Sequence, residues 1–303
     1  MLGLRRRRTD HRRRSRRIRD DEMTRIIPPK LIAHLAHKPR PSPSPIQPEF
    51  SIDDLIERGR EFYSNELKNG KNIGVKIALQ NAVDSNLRIA TLPYLIAGKA
   101  TADRNNYLWD NWFTALSEEY VVVDKKGTSQ VVVLHGGGIL TPERIQRAYD
   151  DGLTLQNAAK LDNLEVSDLL KGKLPNGESI QIYTVDDIKN GRIPKPFGKY
   201  GIMLDFETAK RYNSDYLAKT DFMNNKLVMA RAGTLEYLDK YFEKAKHPQN
   251  KNVGNWHRFA EINLLQNQGR FLYLNNSYDG LSGNDDLNYN GRFVGVVPEA
   301  HRP

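Results

Sequence analysis

The chain has 303 residues, no cysteine, and 46 Lys and Arg against 37 Asp and Glu. That length allows one large domain or two small ones, and the missing cysteines exclude a disulfide framework, a thiol nucleophile and any Cys-ligated metal. No run of about 18 apolar residues occurs, so no transmembrane helix is expected.

The charge is unevenly placed. Residues 1–50 hold 14 Lys and Arg against 5 Asp and Glu, so the whole formal surplus of +9 belongs to them and residues 51–303 are neutral. Arginines crowd positions 5–19, and Pro39–Pro45 alternates proline with serine and arginine. Such segments repel themselves and bury no core, so 1–50 is expected to be a disordered basic arm, with a short helical turn at 30–37. Three roles compete for the arginines: contact with nucleic acid phosphates through residues 5–19, contact with an anionic membrane surface, or an extension ahead of an alternative start at Met23. No apolar stretch follows them, which argues against a secretory signal and for a cytoplasmic location.

From Ser51 the pattern changes. Ser51 and Asp54 have the spacing of a capping box, and Ile52, Leu55, Ile56, Phe62, Tyr63 and Leu67 lie near one helical face ending at Gly70. Residues 73–90 fit both a strand and a helix. Leu108, Trp109, Trp112, Phe113, Leu116 and Tyr120 recur at helical spacing, so 103–120 reads as a helix with an aromatic core stripe. The segment 51–120 is therefore expected to be a helical N-terminal part of a single α/β domain over 51–303. Val121–Val123 and Val131–Leu134 then read as buried strands joined by a turn at Asp124–Gly127, and Thr141-Pro142-Glu143 opens a helix. Further strands are expected at 179–185, 200–206, 226–230, 270–274 and 292–297, with a helix over 234–246. Strands alternating with helices predict a mixed, largely parallel sheet with flanking helices.

Several strings could carry chemistry. His135-Gly136-Gly137-Gly138 follows a strand and precedes a helix, which frees backbone N–H groups to hold an anion. Locally it resembles the His-Gly-Gly-Gly oxyanion loop of the hormone-sensitive-lipase branch of α/β-hydrolases. No G-x-S-x-G elbow follows; Gly280-Leu281-Ser282-Gly283-Asn284 comes nearest, with Asn in the last position and no room for the remaining triad members. Asp205 and Glu207 at a strand end are spaced to act as a base or to hold Mg²⁺ or Mn²⁺. Leu204–Thr208 resembles the first motif of DEDD-type 3′–5′ exonucleases, but the further acidic motifs of that family are missing. Arg231, Gly233 and Thr234 repeat the strand, small loop and helix-cap pattern, with a guanidinium suited to phosphate or carboxylate.

Three other strings have plainer readings. His257 reads as a packing residue between aromatics. Asp286-Leu287-Asn288-Tyr289-Asn290-Gly291 fits half of a Ca²⁺ loop, but better a hairpin turning at Asn290-Gly291. Residues 153–169 faintly resemble a helix-turn-helix whose acids oppose DNA.

If the strands run parallel, His135, Asp205, Glu207 and Arg231 line one crevice, with the polar loop 275–290 as its rim. The expectation is then a hydrolase or transferase for a small phosphate- or carboxylate-bearing ligand. Gly136–Gly138, Arg231, Gly233 and Thr234 would hold the anion, His135, Asp205 and Glu207 would be catalytic, and a metal would sit on the two acids. The alternative is a non-enzymatic structural or assembly protein whose arm contacts nucleic acid.

Overall fold

Ser51 does precede a helix, but α1 (Ile52–Arg58) stops at Gly59, and the Ser51 side chain makes no capping bond. Phe62 and Tyr63, expected on that helix, lie on β1 (Arg60–Ser64), so the helical reading of 51–120 does not hold. A computed structural model describes residues 51–193, 195, 197–276 and 280–297. The arm, its candidate nucleic-acid contacts at 5–19 and part of the 275–290 loop lie outside these. The described residues belong to one compact unit.

The short strands β2 (Leu67–Lys68) and β3 (Lys71–Asn72) pair with each other. The ambiguous stretch becomes helix α2 (Gly74–Asp84), followed by β4 (Arg88–Ile89). Helix α3 (Leu92–Thr101) is capped by the Thr91 side chain and carries Pro93 in its first turn, where the missing N–H costs nothing. Of the helix expected over 103–120, only α4 (Tyr107–Asp110) forms, and β5 (Phe113–Val123) takes the rest. Phe113 and Tyr120 are core residues all the same. Strand β5 is buried on both faces, so the alternation that would mark a strand is missing and the aromatic spacing imitates a helix.

The turn at Asp124–Gly127 then leads into β6 (Ser129–His135), which pairs antiparallel with β5 as expected. Helix α5 (Pro142–Asp150) begins at Thr141, whose hydroxyl accepts from Arg144 N. Next come β7 (Ala159–Lys160) and α6 (Asn163–Leu169), the latter with a full capping box from Asp162 and Glu165. These replace the suggested helix-turn-helix. Strand β8 (Ile182–Thr184), α7 (Val185–Lys189), β9 (Tyr200–Asp205) and α8 (Phe206–Lys210) follow, then β10 (Asp215–Leu217) and α9 (Lys219–Asn224).

Residues 226–230, expected as a strand, belong to helix α10 (Lys226–Ala232), which Asn225 caps. Every residue from Leu227 to Ala232 is buried, so no amphipathic period betrays it. The last elements are α11 (Leu238–Ala245), β11 (Val253–Trp256), β12 (Gln268–Leu274), β13 (Leu281–Ser282) and β14 (Gly291–Val296).

The fold is mixed α/β. A nine-stranded mixed sheet runs β10-β11-β13-β12-β5-β6-β9-β8, with β7 also on β12 and helices flanking it. It is not largely parallel: among its pairs only β8/β9 and β11/β13 are parallel. A second sheet, β1-β14-β4, joins the beginning of the described fold to its end. Gly291 thus opens a strand on β1 rather than turning a hairpin. Among the described residues no helix is long and apolar enough to cross a membrane.

Side chains alternate across β5, β6 and β12. Val131, Val133, Leu272 and Leu274 face the large apolar cluster with α3, α10 and α11, while Tyr120, Val122, Val132 and Leu134 face another with α6.

Candidate functional site

The adjacent acids of β5, Glu118 and Glu119, point to opposite faces of the sheet and are almost fully buried. Glu118 faces the glycine loop. Its Oε1 accepts from Gly138 N at 2.8 Å, and its Oε2 accepts from Ile139 N at 2.9 Å and Leu140 N at 3.3 Å. Gly136 N and Gly137 N donate to Leu116 O. The N–H groups expected to face a ligand are thus occupied by the protein's own Glu118 carboxyl or by Leu116 O. Burial pushes the Glu118 carboxyl up to about 7, while these N–H donors and the Lys199 charge pull it back.

Glu119 faces the other way and takes a forked ion pair from Arg231, at 2.8 Å from Nε and 3.0 Å from Nη2. Arg231 Nη1 donates further to Asn255 Oδ1 and Trp256 O. Arg231 is therefore a buried residue of helix α10, not a ligand-facing residue at a strand end. Gly233 ends that helix in the left-handed region, where a Cβ would strike the Tyr200 hydroxyl. Thr234 caps no helix; its hydroxyl accepts from Glu236 N.

His135 is fully buried on the same face. Its Nε2 donates to Ala230 O at 3.0 Å, so Nδ1 accepts from the Ser117 hydroxyl at 2.9 Å. Burial pushes its pKa down to about 4, which keeps the ring neutral.

The acids lie elsewhere. β6 and β9 are antiparallel, with His135 opposite Tyr200 and Asp205 opposite Gln130. Asp205 and His135 therefore sit at opposite ends of the ladder, about 17 Å apart along the strands. Asp205 is exposed and caps α8 by accepting from Thr208 N, and Glu207 is exposed in the first turn of that helix. Among the described residues no three His, Cys, Asp or Glu side chains gather to hold a metal ion. His257 Nε2 donates to Tyr212 O and the ring stacks on Phe259, and Asp286 pairs with Arg258 and Asn157 rather than opening a Ca²⁺ loop.

A different place gathers polar and aromatic groups. β11 and β13 run parallel, and their carboxyl ends, Trp256 and Ser282, lie side by side. Tyr216 meets the Trp256 ring edge-on at 5.1 Å. The segments that follow bring Arg258 and Asp286 together at 3.0 Å and fold Asp285 back onto the Ser282 hydroxyl. Trp256, Arg258, Asn284, Asp285 and Asp286 are all half-buried. Arg231 reaches Asn255 and the Trp256 carbonyl here, and Arg258 and Asp286 act electrostatically on Arg270, which lies opposite Glu119. Burial raises the pKa of Asp285 and lowers that of Arg270.

The sequence reading missed Glu118, Glu119, Asn255 and Arg270. A signal existed: two acids inside an apolar strand must each find a partner, because an unpaired buried charge is costly.

No protein-family model matches the sequence, and no curated protein matches it. A solved structure reported as "Accommodation of massive sequence variation in Nanoarchaeota by the C-type lectin fold" is 24% identical, with a TM-score of 0.60 over 80% of this chain and 99% of that one. The likeness shows the fold, that of the C-type lectins. It overturns the expected hydrolase or transferase: the likeness is to a lectin-like fold, and neither the hydrolase reading nor anion binding by the glycine loop finds support in it.

Proposed function

We propose that the chain is a non-enzymatic recognition protein whose binding face is the mouth at the carboxyl ends of β11 and β13. The observation that carries this reading is the contrast between the two places. His135 is buried and bonded internally, Asp205 caps a helix and Glu207 stands exposed in that helix's first turn, whereas the mouth presents half-buried aromatic and charged side chains on a strand framework. Tyr, Trp and Arg are the side chains that most often anchor recognition. The nanoarchaeal protein is described as accommodating massive sequence variation on this fold, and a framework of that kind suits recognition by changeable surface residues.

The test is a glycan and peptide array probed with wild type and with Trp256→Ala and Asp286→Ala. A ligand bound by the wild type and lost in both variants at unchanged melting temperature is expected. Equal binding by all three proteins would remove the mouth from consideration.

A second reading concerns the arm, and the formal +9 of residues 1–50 supports it. Here the body is a structural or assembly module and the arm neutralises nucleic acid phosphates. Deleting residues 1–22 should then abolish a nucleic acid gel shift that weakens steeply between 50 and 200 mM salt, as counterion release requires (about 10³-fold or more for six or more contacts).

A further inference from the structure

We infer that the mouth of β11 and β13 contains an oxyanion subsite built from Arg270 and Asn255. This rests on the recognition reading above and names the chemistry of its ligand.

Arg270 lies opposite Glu119 in the β12/β5 register and is 3% exposed. Both oxygens of Glu119 are already engaged by Arg231, and Asp286 is engaged by Arg258 and Asn157. Among the described residues, Nη1 and Nη2 of Arg270 find no acceptor. Asn255, fully buried, shows the same lack on one side. Its Oδ1 accepts from Arg231 Nη1, which fixes the amide orientation because an amide nitrogen cannot accept, and its Nδ2 has no partner among the described residues.

The unpartnered groups flanking the Arg231–Glu119 pair are therefore all donors. A buried guanidinium with two unused nitrogens is costly, and an acceptor-rich group relieves that cost. A carboxylate or phosphate matches the guanidinium fork in both geometry and charge. Arg258, Asp285 and Asp286 act electrostatically on Arg270 and are themselves half-buried, so charged groups that reach solvent lie within electrostatic range of its guanidinium.

The test titrates the full chain with inorganic phosphate and, separately, with acetate, against chloride at matched ionic strength. Melting temperature and the ¹⁵N signals of arginine side chains are followed. A saturable rise in melting temperature is expected, with one guanidinium signal moving in step. Arg270→Gln should lose both responses. Asn255→Asp, which places an acid where the anion would sit, should weaken binding at least tenfold. A stronger response to acetate assigns the subsite to a partner's carboxylate; a stronger response to phosphate assigns it to a phosphate group.

No saturable response in the wild type, or an unchanged response in Arg270→Gln, overturns the inference. Should Arg270→Gln fail to fold, Asn255→Asp and the wild-type spectra decide alone. Anion binding that persists while Trp256→Ala leaves array recognition intact supports the subsite and removes the mouth reading. Array recognition lost in Trp256→Ala without any anion response does the reverse.

Discussion

One step along β5 reverses the face on which a charge is buried, and the two glutamates are stabilised by different means. Glu118 is held by three backbone N–H groups, Glu119 by a guanidinium fork. Glu118→Ala leaves those donors buried without their acceptor, so a loss of about 3 kcal/mol is expected, read as a lower midpoint in urea unfolding. Arg231→Met strands the Glu119 charge and should cost about 3–5 kcal/mol, whereas Glu119→Leu combined with Arg231→Met should recover much of that loss. A double variant no better than the single one would mean that Arg231 acts through packing alone.

Lys99 carries a pH prediction. Its ammonium is fully buried, donates to Asn275 O and Asn111 O, and lies 5.2 Å from the Trp109 ring centre. Burial, aided by the Arg104 charge, pushes its pKa down from 10.5 to about 7. Between those values the unfolded chain binds the proton and the folded chain releases it. Stability should therefore rise as pH increases from 7 towards 10.5, by on the order of a few kcal/mol in full. Urea midpoints measured from pH 7 to 9.5 should climb in the wild type and stay flatter in Lys99→Met.

Among the elements, those whose determinants are local are legible in the sequence. The β5/β6 turn at Asp124–Gly127 and the Thr141-Pro142 helix start rest on neighbours within a few residues, and both form as expected. The errors arose where burial is complete. β5 and α10 are buried on nearly all sides, so neither the two-residue nor the 3.6-residue period shows through. Strand direction was the other gap. Nothing local in 129–135 or 200–205 distinguishes an antiparallel from a parallel neighbour, yet that choice sends His135 and Asp205 to opposite ends. The glycine loop is legible as a set of donors. Its acceptor comes from a neighbouring strand, and no local pattern announces that.

At the scale of the whole molecule, the β1-β14-β4 sheet ties residues 60–64 to residues 291–296, with Phe62 opposite Phe293 and Arg292 paired to Glu61. Phe62 and Phe293 share an apolar cluster with α2, so β14 is part of the core rather than an appendage. A chain truncated after Asn290 should lose cooperative thermal unfolding and amide signal dispersion. Retention of both would show that the nine-stranded sheet stands without the smaller one.

The Glu61–Arg292 bridge spans 231 positions of chain. During synthesis the first strand leaves the ribosome long before its mate exists, and its hydrogen-bonding edge stays bare meanwhile. Contacts so distant in sequence slow folding, and bare edges invite pairing with other chains. The nascent protein thus carries an open seam until nearly the last residues of the fold appear, and it is in that interval that chaperone protection would have the most effect.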